Sequence, residues 1–289
     1  MKRVSVAMAC VLLAGWGAQD AGGQLPDGSG QAVPATATAP LQASASGVAG
    51  LPPVPDARQV LSLISDVDGD GALSYPIVNG ATINHWHAHA FQSQQTRYYT
   101  GFAWLSPSVY GSAQAHYPEP GQQAVLAQAT FVLTPGAEPA WRWEGSELDI
   151  GAFGGYGRGN RVDTARQVQS WPMPDGDLLL VVPALYDDSG ITQRTLELLH
   201  FSGSLPQGGD DRRWRHLGTL DAGSDNSASC GEANPRIACR DVTGQLRFVG
   251  EAGQTLPVIW LVFPENAGKA PMHAVQYRFD PQTRQYRRR

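Results

Sequence analysis

The sequence predicts a mainly β protein, with antiparallel strands in a few similar three- or four-stranded units, propeller-like or sandwich, and one short N-terminal helix. Three observations carry this. Short runs rich in Val, Ile, Leu, Phe, Trp and Tyr recur between Gly, Pro and Asp-Gly signals, among them Leu178 to Val182, Thr195 to Phe201, Val258 to Phe263 and Val275 to Phe279. Helical spacing shows at Val60, Leu61 and Ile64, which share one face. The strand runs also overlay on one another. Phe131, Phe201 and Phe279 then become equivalent, and Trp141-Arg-Trp143, Trp214-Arg-His216 and Tyr286 follow them. The overlay suggests three weak repeats of stacked or radially arranged sheets, although unrelated hydrophobic hairpins give the same pattern.

Taken in order, the chain opens on a targeting signal. Lys2 and Arg3 precede an apolar run from Val4 to Gly15, so residues 1–17 read as a signal peptide. Leu13-Ala14-Gly15-Trp16 resembles the bacterial lipoprotein signal with Trp16 in place of the lipidated Cys. Trp cannot take the lipid, so the resemblance implies a soluble periplasmic or secreted protein. Residues 18–57 are rich in Ala, Gly, Pro, Ser and Thr and nearly uncharged. That composition cannot bury a core and predicts a disordered linker. Residues 58–289 form the expected calcium-binding all-β domain.

The helix predicted from Val60, Leu61 and Ile64 runs into Asp66-Val67-Asp68-Gly69-Asp70-Gly71-Ala72-Leu73-Ser74. Alternate oxygens in a tight loop can aim at one hard cation. The stretch resembles an EF-hand calcium loop. The resemblance implies Asp66, Asp68 and Asp70 as carboxylate ligands, Ala72 through its carbonyl and Ser74 directly or through water. Gly71 takes the turn and Leu73 an apolar anchor. Ile77 stands where that loop has its closing Glu, and Pro76 blocks an exit helix. The expectation is therefore helix, loop, strand, with calcium as a weakly held structural ion. The plain alternative is a solvated Asp/Gly turn.

Asn84-His85-Trp86-His87-Ala88-His89-Ala90 reads as a strand that puts His85, His87 and His89 on one face and Trp86, Ala88 and Ala90 in the core. Imidazoles on one face can hold zinc or copper. The first and third would lie about 13 Å apart, so at most two with a distant ligand fit one ion. A polar strand face or a partner contact are the other readings. Gly154-Gly-Tyr-Gly-Arg-Gly159 lacks the βαβ context of a phosphate loop and reads as a mobile surface loop displaying Tyr156 and Arg158. Glu144, Glu147 and Asp149 are candidate paired carboxylates, and Ser227 and Ser229 carry no nucleophile elbow.

Once Cys10 leaves with the signal, Cys230 and Cys239 remain, and an exported setting favours their disulfide over free thiols. The net charge of −5 and the absence of a basic stripe argue against nucleic acid. No long apolar run follows the N-terminus, so no transmembrane span is expected in the mature chain. These parts lead to an exported, calcium-stabilised, non-catalytic binding protein of the bacterial envelope, of inhibitor or immunity type. Its expected partner is an envelope protein or cell-wall component. A metal-dependent hydrolase using the histidines and a carbohydrate-binding module are the alternatives.

Overall fold

The computed structural model describes residues 51–78, 80–108, 118–204, 212–231, 236–264 and 273–289. The expected signal peptide and most of the expected linker lie outside them. The last residues of that linker stretch are packed. Pro55 is buried, and the Trp141 indole N–H donates to the Pro52 carbonyl at 3.4 Å.

Helix α1 (Ala57–Ser65) starts where Asp56 caps it. The Asp56 carboxylate accepts the Gln59 N–H, and the Gln59 side chain accepts the Asp56 N–H. This reciprocal box satisfies donors that the first turn leaves open. The helix stops at Asp66, which takes a left-handed φ of 52°. Val60, Leu61 and Ile64 are its buried face, as their spacing predicts.

The first sheet contains β1 (Ser74–Pro76), β2 (Thr82–Ser93), β3 (Thr96–Leu105), β4 (Ala124–Leu133) and β5 (Trp141–Phe153), in that spatial order. The second contains β6 (Arg161–Val162), β7 (Gln169–Pro172), β8 (Leu178–Asp188), β9 (Ile191–Phe201), β10 (Trp214–Asp225) and β11 (Asp241–Thr243). Here β6 and β7 pair with successive stretches of β8 and together make one broken edge. The third contains β12 (Gln245–Val249), β13 (Val258–Phe263), β14 (His273–Asp280) and β15 (Gln285–Arg288). All pairings are antiparallel, so the mainly β class and its similar meandering units are as the sequence predicts.

Three cores join these elements in layers. Helix α1 packs on one face of the first sheet, against Ile83, Tyr99, Ala103 and Phe131. It comes so close that a Cβ on Gly101 would lie 2.3 Å from a Val60 methyl. The other face of that sheet packs on the second sheet through Trp86, Phe102, Leu126, Phe153, Leu180, Phe201 and Trp214. The second sheet's far face packs on the third through Leu179, Val181, Leu198, Leu220, Ile259, Leu261 and Tyr277. Strand β8 shows why the run Leu178 to Val182 is continuously apolar. Leu178, Leu180 and Val182 enter one layer while Leu179 and Val181 enter the next. Phe131, Phe201 and Phe279 fall on β4, β9 and β14, and each faces the preceding layer.

Cys230 and Cys239 are joined in a disulfide between β10 and β11, with Cα atoms 5.1 Å apart.

Candidate functional site

The acidic turn leads from α1 to β1, in the expected order of helix, loop and strand. Its five expected donors are all exposed, and the Asp68 and Asp70 carboxylates have different neighbours. Asp68, with 98 % of its side chain in solvent, meets Arg58 at 3.3 Å. Asp70 accepts the Ala72 N–H and the Tyr75 hydroxyl, both at 3.1 Å, and these bonds hold its carboxyl below the usual range. The Tyr75 oxygen also accepts the Gly71 N–H at 2.9 Å. A Cβ on Gly69 would lie 2.1 Å from the Tyr75 ring, so the phenol fills the inside of the turn. Ser74 donates to Asn84 at 2.7 Å. In this arrangement the turn is closed by its own tyrosine, and Asp66, Asp68 and Asp70 do not gather about one point. Among the described residues no three His, Cys, Asp or Glu side chains are set to hold a metal ion.

Strict alternation fails in the histidine strand. His85 pairs with Ala103 and His87 with Phe102, so Trp86 is an extra residue in a bulge. Residues opposite one another share a face. Ala103 belongs to the core under α1 and Phe102 to the layer between the first two sheets. His85 is therefore on the helix side, and His87 and His89 are on the other. This corrects the expected three-histidine face. It also moves Trp86 into the inter-sheet layer beside His87, while Ala90 is exposed. The His87 and His89 rings stack with centroids 6.2 Å apart, and burial pushes both pKa values down to about 4. Two neutral rings stacked in a strand are packing groups first.

Two carboxylates missed as a pair by sequence reasoning occupy that same layer. Glu197 on β9 is wholly buried. It accepts from Asn160 at 2.7 Å, Thr195 at 3.1 Å and Thr219 at 2.6 Å, and His216 Nε2 lies 2.9 Å away. Glu147 on β5 reaches across to β10, where it accepts the backbone N–H groups of Arg213 and Trp214, and it also takes the Gln128 amide at 3.0 Å. Burial pushes the Glu147 carboxyl up. A cleft of about 270 Å³ opens beside it, lined by Gln128, Thr130, Glu144, Ser146 and Arg213. The Arg213 guanidinium donates to Glu144 at 2.7 Å. Three donors from the chain itself occupy Glu147, so its geometry fits an inter-sheet staple better than a general base. Asp149 instead caps the Gly151 N–H at 2.9 Å. Ser229 donates to the Asn226 carbonyl in the short turn before the disulfide.

The third sheet has one face in the core and one facing out. Arg247, Trp260 and Gln276 are cross-strand neighbours on the outer face, with Val249, Val262 and Arg287 around them. Trp260 belongs to none of the three cores. Arg278 is held by Glu251 in a two-point pair with both contacts at 2.6 Å. Arg247 and Arg287 make no ion pair among the described residues. Trp260 is half-buried, with the exposed Arg247 beside it, while Arg287 lies in the field of Asp280.

Among the described residues no helix is long and apolar enough to cross a membrane. No protein-family model, curated protein or solved structure matches the chain.

Proposed function

We propose that the chain is an exported, non-catalytic binding protein of the bacterial envelope, of inhibitor or immunity type, which holds an acidic protein partner on the outer face of its third sheet. One observation carries this reading, the row Arg247–Trp260–Gln276. A solvent-facing sheet surface is normally polar throughout. Trp and Arg are the residue types that dominate binding energy at interfaces, with an apolar centre and a polar rim. The whole chain carries a net charge of −5, yet the acids on this face have arginines of their own, Glu251 paired to Arg278 and Asp280 in the field of Arg287. Arg247, beside Trp260, favours a partner of opposite sign.

The test uses the full exported chain in whole cells, with a photocrosslinking residue placed at position 247 or, as a control, at position 142 on β5. The expected result is one envelope protein captured from position 247 only, weakened by salt and lost with Trp260→Ala. Equal capture from both positions, or capture insensitive to Trp260→Ala, overturns the reading. Calcium enters as an added proposal supported by the acid spacing alone. A chelated chain whose melting temperature does not rise with calcium removes it.

A further inference from the structure

The glycine-rich run is a built hairpin. Gly155 and Arg158 exchange both backbone hydrogen bonds, at 3.1 and 3.0 Å, around Tyr156 and Gly157. Both central residues have positive φ, 51° and 67°. A turn of this type favours Asn-Gly, Asp-Gly or Gly-Gly, because a bulky side chain is strained there. The hairpin is also clamped. Tyr156 N–H donates to the Pro120 carbonyl at 3.3 Å and Gly157 N–H to that of Gln122 at 2.6 Å. A Cβ on Gly154 would lie 2.0 Å from the Arg158 carbonyl oxygen, and one on Gly159 would meet Phe153 at 2.6 Å and Trp104 at 2.8 Å. These glycines serve close packing, which corrects the expectation of a mobile loop.

A rigid turn thus holds a tyrosine where local energetics favour a small residue. The Tyr156 ring is 38 % exposed and stacks on Tyr186 at 6.4 Å and 14°. Beside it is a cleft of about 170 Å³, walled by Trp104 and edged by Thr82, Ser106, Gln122 and Arg158. The volume falls well short of the roughly 300–1,000 Å³ of a typical ligand pocket, so it suits one ring and not an extended chain. Among the described residues the cleft combines aromatic surfaces, hydroxyl and amide groups and one guanidinium, with no carboxylate. Arg158 makes no ion pair among the described residues. An aromatic surface takes the apolar face of a pyranose, and hydroxyl and amide groups meet its hydroxyls. A guanidinium matches a carboxylate in two-point geometry.

We propose that this cleft binds a single carboxylate-bearing sugar ring, with Tyr156 as its platform and Arg158 as its anion contact. The site is distinct from the protein-docking face of the third sheet and does not rest on it.

The purified full chain is titrated with galacturonic acid and N-acetylmuramic acid, and with galactose and N-acetylglucosamine as neutral counterparts, by ligand-observed NMR. The acidic sugars are expected to bind at least roughly tenfold more tightly, as one lost charge-assisted contact implies. Arg158→Gln abolishes that preference. Tyr156→Gly abolishes binding while the melting temperature holds or rises, because glycine relieves the strained φ. Trp260→Ala leaves sugar binding unchanged. Failure of both acidic sugars to bind, equal binding of the neutral ones, or binding untouched by Tyr156→Gly and Arg158→Gln each overturns the proposal.

Discussion

Glu197 and Leu198 are neighbours on β9, yet they enter layers of different kinds. Leu198 packs among Leu179, Val181, Leu220 and Ile259, in a layer between the second and third sheets that is apolar throughout apart from its tyrosines. Glu197 enters the layer between the first and second sheets. There, aromatic packing is interrupted by Asn160, His216, Glu147, Gln128 and a bonded pair of threonines, Thr100 and Thr130. The apolar layer supplies stability indifferent to pH. The polar layer ties specific residues of one sheet to specific residues of the other, and each tie is costly if half broken.

Glu197→Ala should be the largest single loss. It strands the Asn160, Thr219 and His216 donors in a dry site, at a cost of about 4 kcal/mol by urea unfolding. Leu198→Ala should cost about 3 kcal/mol from lost transfer energy and the cavity left behind. It should cost the same at pH 5 and pH 8. A Leu198→Ala penalty that changes with pH would break the contrast between the layers.

Acid sharpens the same contrast. Burial lowers the folded-state pKa values of His87 and His89 to about 4 from the ordinary histidine value of 6.5. Between those values the unfolded chain binds more protons, so stability rises with pH. This contribution is intact above about pH 7 and is lost as pH falls through 6.5 toward 4. Between them the two rings should cost about 2 kcal/mol at pH 5, allowing for partial exposure. The His87→Gln, His89→Gln double variant should flatten a plot of melting temperature against pH over that window. An unflattened plot would place the acid sensitivity elsewhere. Trp214→Phe is the gentlest probe. It keeps the ring contacts with Phe102 and Phe201 but removes the indole bond to Thr130 at 3.2 Å, for about 1 kcal/mol.

The strands were legible because short apolar runs bounded by turn residues, like the spacing of a helix face, are local signals. Leu178 to Val182, Val258 to Phe263 and the face of Val60, Leu61 and Ile64 each show within a few residues. The Cys230–Cys239 bond was legible because two cysteines allow one pairing. The polar layer was not. Glu197 sits in the run Thr195-Leu-Glu-Leu-Leu-His-Phe201, where it resembles any polar residue on an open strand face. Its amide partner Asn160 is 37 residues away in sequence, beyond any periodic pattern. The bulge at Trp86 was equally hidden, since one inserted residue exchanges faces without altering composition. In the acidic turn the spacing of Asp66, Asp68 and Asp70 was plain, but the Tyr75 ring inside it was not. Nor could the glycines of the Tyr156 hairpin be told from those of a loose loop, because what distinguishes them is Trp104 and Phe153 pressed against Gly159.

Apart from β6, which reaches past β7 to β8, the paired strands are neighbours along the chain. Such connectivity keeps loop closure local, so the sheets can form one after another as chain becomes available. The order has a hazard built in. Until Gln245 to Arg288 arrive as the third sheet, the second sheet presents Leu179, Val181, Leu196 and Leu198 to water as one sticky surface. A nascent or proteolysed chain ending near Gly244 is therefore an aggregation-prone species, and the last four strands act as the chain's own holdase, closing that surface at the final step of folding.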